Sequence, residues 1–146
     1  MATATSSRFL QCVVVTPERA VVDEEADFVA LPLYDGEIGI LPGRAPLVGR
    51  LGYGELRIKR GGQTKRFFVD GGFVQVRENV VTVLTSRALK AEEIKPEQAE
   101  QALREATGPA AKGSADERLK VQERARAQLR VARHAGETPR SEVGHG

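Results

Sequence analysis

The sequence predicts a β-sandwich of many short strands over residues 8–88, followed by an antiparallel α-helical hairpin over residues 89–134. Three observations carry this. Short runs of β-branched and apolar residues recur from Arg8 to Leu84 with glycine at nearly every joint, and ten of the 15 glycines lie between residues 36 and 72. Such punctuation argues for a sandwich or barrel rather than βαβ units. At about Thr85–Leu89 the β-branched residues almost vanish and the strong helix formers Ala, Glu, Gln and Arg take over. Gly108-Pro109 then divides this second half into two helical stretches.

In chain order, Arg8 to Val15 is a strand by composition, and Thr16-Pro17-Glu18-Arg19 breaks it. Ala20–Asp23 and Asp27–Leu33 are short strands, the second with Pro32 near its end, where a sheet edge tolerates proline. Tyr34 to Tyr53 carries five glycines and two prolines in an apolar run, which forbids a long helix and predicts two or three short strands joined by tight turns. Leu56 and Ile58 alternate with charged residues, and Phe67 and Val69 answer them across Gly61-Gly62-Gln63, so 55–60 and 65–70 form a hairpin. Gly71-Gly72 turns again, and Phe73–Arg77 and Val80–Leu84 pair through Glu78-Asn79.

Pro96 suits the first turn of a helix, and Ala99, Ala102, Leu103 and Ala106 give it a narrow apolar stripe. Ser114 and Glu117 form a capping-box pattern opening the second helix, where Leu119, Ala125, Leu129 and Ala132 lie roughly along one face with Val121 beside it. Residues 135–146, with Gly136 and Pro139, read as a disordered polar tail, and residues 1–7 as a frayed start with no secretory pattern. The hairpin seam is largely alanine. It buries little area and predicts a hairpin able to leave the sandwich or open.

Composition excludes several functions. The net charge is +2, from 22 basic and 20 acidic residues, which is no nucleic-acid signature. The charge is segregated: residues 91–107 hold five acids and two bases, and residues 112–134 hold seven bases and three acids. The basic helix has no aromatic residue for base stacking, so a solvated or protein-facing surface is expected. No apolar run approaches the ~20 residues needed to span a bilayer. Cys12, the one cysteine, reads as a small buried hydrophobe in a reducing compartment. His134 and His145 read as solvated, and with Cys12 they give no zinc spacing; no nucleophile–base pair is present, and no catalytic, cofactor or metal residue is assigned. Gly61 to Lys65 lacks the phosphate-loop spacing and precedes a strand. Asp35 and Glu37 flank Gly36 and read as a turn and an exposed strand position, suited to an interaction surface.

Several pieces, in order, carry a resemblance. They are Val-Val-Thr-Pro-Glu (14–18), Ala-Leu-Pro (30–32), Asp-Gly-Glu-Ile-Gly-Ile-Leu-Pro-Gly (35–43), Ala-Pro-Leu (45–47), Leu-Gly-x-Gly (51–54), Phe-Val-Asp-Gly-Gly-Phe-Val-Gln-Val (68–76), Val-Thr-Val-Leu-Thr (81–85) and Ala-Gln-Leu-Arg-Val (127–131). Over residues 9–134 the chain resembles the epsilon subunit of F-type ATP synthases. The resemblance implies a ten-stranded sandwich with a C-terminal helical hairpin. It implies a non-catalytic rotor part of the central stalk in a proton-translocating enzyme, bound to the gamma subunit and the c-ring. It also implies a hairpin that folds onto the sandwich or extends to restrain ATP hydrolysis. The expected location is the cytoplasmic face of the bacterial inner membrane, peripheral and without insertion.

Carried over by position, Asp35 and Glu37 match the loop that meets the c-ring. Arg44 stands where the family usually has histidine before Ala-Pro, so a gamma or ring contact there would carry a permanent charge. Arg124, Arg126, Arg130 and Arg133 are the residues expected to meet an acidic segment of the catalytic alpha and beta subunits when the hairpin extends. Some bacterial members bind ATP through an Ile/Leu-Asp-x-x-Arg-Ala motif. The stretch set against it, Gly113 to Arg118, has Ser114 and Glu117 at the Asp and Arg positions, so weak or no ATP binding is expected there. The alternative from another class is a free-standing β-sandwich ligand-binding module, which needs exposed aromatics; Tyr34 and Tyr53 are the only tyrosines.

Overall fold

The computed structural model describes residues 9–109 and 111–145, with the side chains of 135–145 excepted. The expected frayed start and the side chain of His145 lie outside the described residues. Among the described residues eight strands run β1 (Leu10–Val15), β2 (Ala20–Ala26), β3 (Phe28–Leu33), β4 (Gly36–Ile40), β5 (Leu47–Arg60), β6 (Gln63–Arg77), β7 (Val80–Leu84) and β8 (Ala88–Lys90). A single 3-10 turn at Ala91–Glu93 leads to α1 (Pro96–Thr107) and α2 (Ala115–His145).

The strands form one path, β2-β1-β7-β6-β5-β3-β4, with β8 added to β6. Neighbours are antiparallel except β1 and β7, which run parallel. The path folds back on itself because β5 and β6 serve both layers. The far half of β6 pairs with β7 from Phe73 to Arg77, while Phe67–Val69 pair with β8. Period-2 alternation turns one face of each layer inward: Leu10, Cys12 and Val14 from β1, Val81 and Val83 from β7, Val74 and Val76 from β6 meet Val29, Leu31, Leu56, Ile58, Phe67 and Val69 in one core. Arg60–Glu25 (2.9 Å) and Lys65–Glu24 (3.0 Å) tie the β5–β6 end to β2 across the layers.

The sandwich and hairpin stand as read from sequence, but the strand count is eight because two expected breaks are continuous. Gly71-Gly72 does not end a strand. Both residues have positive φ (71° and 112°) and bend β6 within its ladder. A Cβ at Gly72 would run into the carbonyl of Leu84, so glycine is required by close approach as well as conformation. Gly54 likewise lets β5 pass tightly beneath Pro32. The β5–β6 turn is the two residues Gly61-Gly62, and Glu78 and Asn79 both take positive φ between β6 and β7, as a two-residue hairpin turn requires. β8 carries the sheet to Lys90, slightly past the composition boundary.

α1 starts with Pro96 in its first turn and buries Ala99. Ser114 N–H donates to Glu117 Oε1 (2.7 Å) and Glu117 N–H donates to Ser114 Oγ (3.1 Å), completing the expected capping box. The backbone of α2 is helical to His145, past the boundary at 134 that Gly136 and Pro139 suggested.

Candidate interaction surfaces

The hairpin lies on the outer face of one layer. Phe67 and Phe68 are successive residues of β6, so their side chains leave on opposite faces. Phe67 enters the sandwich core, and Phe68 heads a second cluster with Ala91, Ile94, Ala127 and Val131, flanked by Tyr53, Leu89 and Ala132. The docking face of α2 is therefore Ala127 and Val131. Of the stripe expected from sequence, Ala125 is buried and Ala132 packs against this cluster, while Leu119 and the neighbouring Val121 are exposed. The reason is that α2 must serve two neighbours, and Ala125 is buried while Gln122 Nε2 donates across to the Ala106 carbonyl of α1 (3.1 Å).

Two polar contacts frame the cluster. Arg124 Nε donates to Asp70 Oδ1 at 2.9 Å, and its guanidinium lies 5.1 Å from the centre of the Tyr53 ring. The hydrogen bond to Asp70 is the main reason the Arg124 pKa is raised above its ordinary value. His134 Nδ1 lies 3.0 Å from Glu55 Oε2, so this histidine is no solvated bystander. Glu55, only 10% exposed, also accepts from Arg57 and Arg66, both at 3.2 Å. Burial disfavours the Arg57 charge, but hydrogen bonds to Glu37 and Glu55 outweigh it and raise its pKa. These partners, Asp70, Glu55, Tyr53 and Phe68, escape a sequence reading because they lie on strands that look like ordinary half-exposed sheet. Only the hairpin resting on them gives them a role.

Asp35 and Glu37 sit at one end of β4, both exposed, and Glu37 accepts from Arg57 Nη1 at 3.0 Å. Arg44 lies beyond the other end of β4, exposed, in the turn whose Gly43 N–H donates to Asn79 Oδ1 at 2.8 Å. The three residues therefore form two surfaces separated by the strand, rather than one patch. Arg126, Arg130 and Arg133 are exposed along α2, while Arg124 is engaged by Asp70.

Among the described residues no helix lies over the opposite layer. Its outer face carries Val48, Phe73 and Leu84, which are 74%, 56% and 51% exposed. Phe73 pairs directly with Leu84 on β7, and Val48 pairs with Gln75, two residues along β6 from Phe73, so Val48, Phe73 and Leu84 share one face.

Cys12 is buried and its thiol pKa is pushed up to about 12, first by burial and then by Glu24 and Asp23, so it stays protonated. Among the described residues no group of histidines, cysteines and carboxylates is arranged to hold a metal. Ser114 and Glu117 are engaged with each other in the α2 cap, and hydrogen bonds from Ser114 lower the Glu117 pKa.

Residues 9–91 match the family model described as ATP synthase, Delta/Epsilon chain, beta-sandwich domain. The chain is 48% identical over 128 residues to the ATP synthase epsilon chain of Rhodopirellula baltica, an alignment covering 85% of this chain and 98% of that one. It is 42% identical over 127 residues to the ATP synthase epsilon chain of Solibacter usitatus, covering 84% and 95%. In fold it is similar to a chain of the Euglena gracilis mitochondrial ATP synthase OSCP/F1/c-ring assembly, with TM-score 0.68 and 22% identity over 90% of this chain and 81% of that one. A chain of the Tetrahymena thermophila mitochondrial ATP synthase central stalk and c-ring matches with TM-score 0.61 and 14% identity over 86% and 95%.

Proposed function

We propose, since this chain belongs to the ATP synthase epsilon chain family, that it works as a non-catalytic rotor subunit of a proton-driven ATP synthase and uses its two layers for different tasks. The observation carrying this is the asymmetry of the sandwich. One outer face is covered by a small docked hairpin, and the other presents Phe73, Leu84 and Val48 uncovered. Apolar groups left together on a sheet face mark a protein contact. The bare face is our assignment for the gamma subunit. The exposed end of β4, with Asp35 and Glu37, is our assignment for the polar loops of the c-ring, where charge fixes register more than affinity. Arg44, on the far side of β4, belongs with the gamma-facing side in this arrangement.

The hairpin supplies regulation in the same reading. Release from Phe68 frees Arg124 from Asp70 and offers it with Arg126, Arg130 and Arg133 to acidic segments of the catalytic alpha and beta subunits. The subunit is peripheral in a membrane-associated complex, which we place at the cytoplasmic face of the bacterial inner membrane. Among the described residues no helix is long and apolar enough to cross a membrane.

Capture on immobilised gamma subunit tests the assignment. Phe73→Glu with Leu84→Glu is expected to weaken capture by about tenfold or more, as losing a central apolar anchor does, while Glu37→Gln leaves it intact. Assembled enzyme whose epsilon chain ends at residue 88 is expected to hydrolyse ATP faster. Undiminished gamma capture by the double variant sinks the face assignment, and unchanged hydrolysis by the truncated enzyme sinks the inhibitory role.

A further inference from the structure

Beside the docking cluster, α2 and the sandwich enclose an open groove of about 940 Å3. Its helical wall carries Lys120, Arg126 and Arg130, and its sheet wall carries Tyr34, Arg50 and Tyr53. Arg126 and Arg130 stand one helical turn apart on the same flank. Neither they nor Arg50 form an ion pair among the described residues; Arg50 instead lies 4.5 Å from the centre of the Tyr34 ring. Once Arg124 and Asp70 are paired, the groove holds four cations against the carboxylates of Asp116 and Glu123. Its apolar elements are exposed as well: Tyr34 is 69% and Leu119 49% accessible.

We propose that this groove is a docking site for an acidic, leucine-bearing helical segment of a partner protein, and that its occupancy holds the hairpin on the sandwich. Charge complementarity fixes the sign of the occupant. The shape fixes its kind. From Asp116 to Arg130 the α2 wall runs roughly 21 Å, which a helical segment can follow. A small phosphate-bearing ligand would neutralise the arginines but leave the length, the tyrosines and Leu119 unused. Amphipathic helices seat in such grooves through anchors at helical spacing.

The regulatory consequence follows from the two walls belonging to separable parts. When the hairpin leaves, Arg126 and Arg130 part from Arg50 and Tyr34 and the site ceases to exist. A ligand that binds only the docked state stabilises that state by its binding free energy. The contact is therefore distinct from the one proposed for the extended hairpin, and it needs no inhibitory role to be true.

The test uses the isolated full chain and a synthetic 16-residue helix-forming peptide of Glu, Leu and Ala. Two controls are the same peptide with Gln for Glu, and inorganic pyrophosphate. Amide spectra are expected to show saturable shifts at Tyr34, Arg50 and along 119–130 with the acidic peptide. Spin labels at Gln63→Cys and Glu105→Cys are expected to report hairpin opening suppressed roughly fivefold or more, the lower end of ordinary coupling between sites. Arg50→Glu and Arg126→Glu are each expected to weaken binding about tenfold, the effect of losing one close charge pair. Loss with Arg126→Glu but not Arg50→Glu overturns the two-walled site. Equal binding of the Gln peptide, equal shifts with pyrophosphate, or no saturable shift overturns the acidic-segment assignment.

Discussion

Phe67 and Phe68 are neighbours in β6, equally hidden from solvent, yet they hold together different things. Phe67 belongs to a cluster of 17 buried residues drawn from seven strands, whereas Phe68 belongs to one of five, two of them alanines. The first cluster is drawn from strands joined by continuous backbone ladders. The second is held by side chains, since among the described residues no strand pairs with the hairpin. The sheet holds its core through backbone pairing as well as packing, whereas the helices are attached through few apolar groups and the ion contacts of Arg124 and His134.

Replacing each phenylalanine breaks the comparison most severely. Phe67→Ala is expected to cost about 3–5 kcal/mol of global stability, the usual range for a buried aromatic, measured by denaturant unfolding of the sandwich. Phe68→Ala is expected to leave the sandwich transition much less changed and to expose α2 to trypsin at Arg126 and Arg130. Equal losses of global stability with no new cleavage would mean that hairpin and sandwich unfold as one unit.

Alkaline pH strikes the first cluster through Cys12. In the folded chain the Cys12 thiol pKa is raised from 9.0 to about 12. A group raised in the folded state keeps its full contribution below the unfolded value and loses it as pH climbs towards the folded one. Stability of the sandwich should therefore fall from about pH 9 upward by roughly 1.4 kcal/mol per unit, and Cys12→Ser should flatten that fall. A thiol reagent that modifies the native chain quickly at pH 8 would contradict the burial behind this expectation.

The same contrast explains what the sequence made legible. Alternation in β1, β6 and β7 and the composition change near Thr85 outline sandwich and hairpin, because burial on one sheet face imposes a period of two on every strand. Glycine was ambiguous: at Gly61 and Gly43 it makes a turn, whereas at Gly54 and Gly72 it serves close approach within a continuous strand, and local sequence does not separate these uses. The hairpin interface was least legible. Asp70 and Glu55 are unremarkable strand carboxylates until Arg124 and His134, far along the chain, settle on them. Leu119 shares a helical stripe with the buried Ala125 yet is exposed, because helical period alone does not say which flank meets the sheet.

The finest division lies within the hairpin interface itself, between apolar contact and charge. Asp70 Oδ1 accepts from Arg124 at 2.9 Å, with side-chain exposures of 39% for Arg124 and 11% for Asp70. Solvent reaches the guanidinium, so the pair is discounted towards the surface range, and Asp70→Asn is expected to cost docking about 0.5–1 kcal/mol. That corresponds to roughly two- to fivefold more open hairpin, read by the same spin-label pair. The amide keeps an acceptor oxygen for Arg124 and loses only the charge, so the variant separates ion pairing from hydrogen bonding. Added salt should shrink the difference between Asn and Asp, because screening acts on the pair the substitution removes. If Asp70→Asn opens the hairpin as far as Phe68→Ala does, charge and not the apolar cluster holds the helices down.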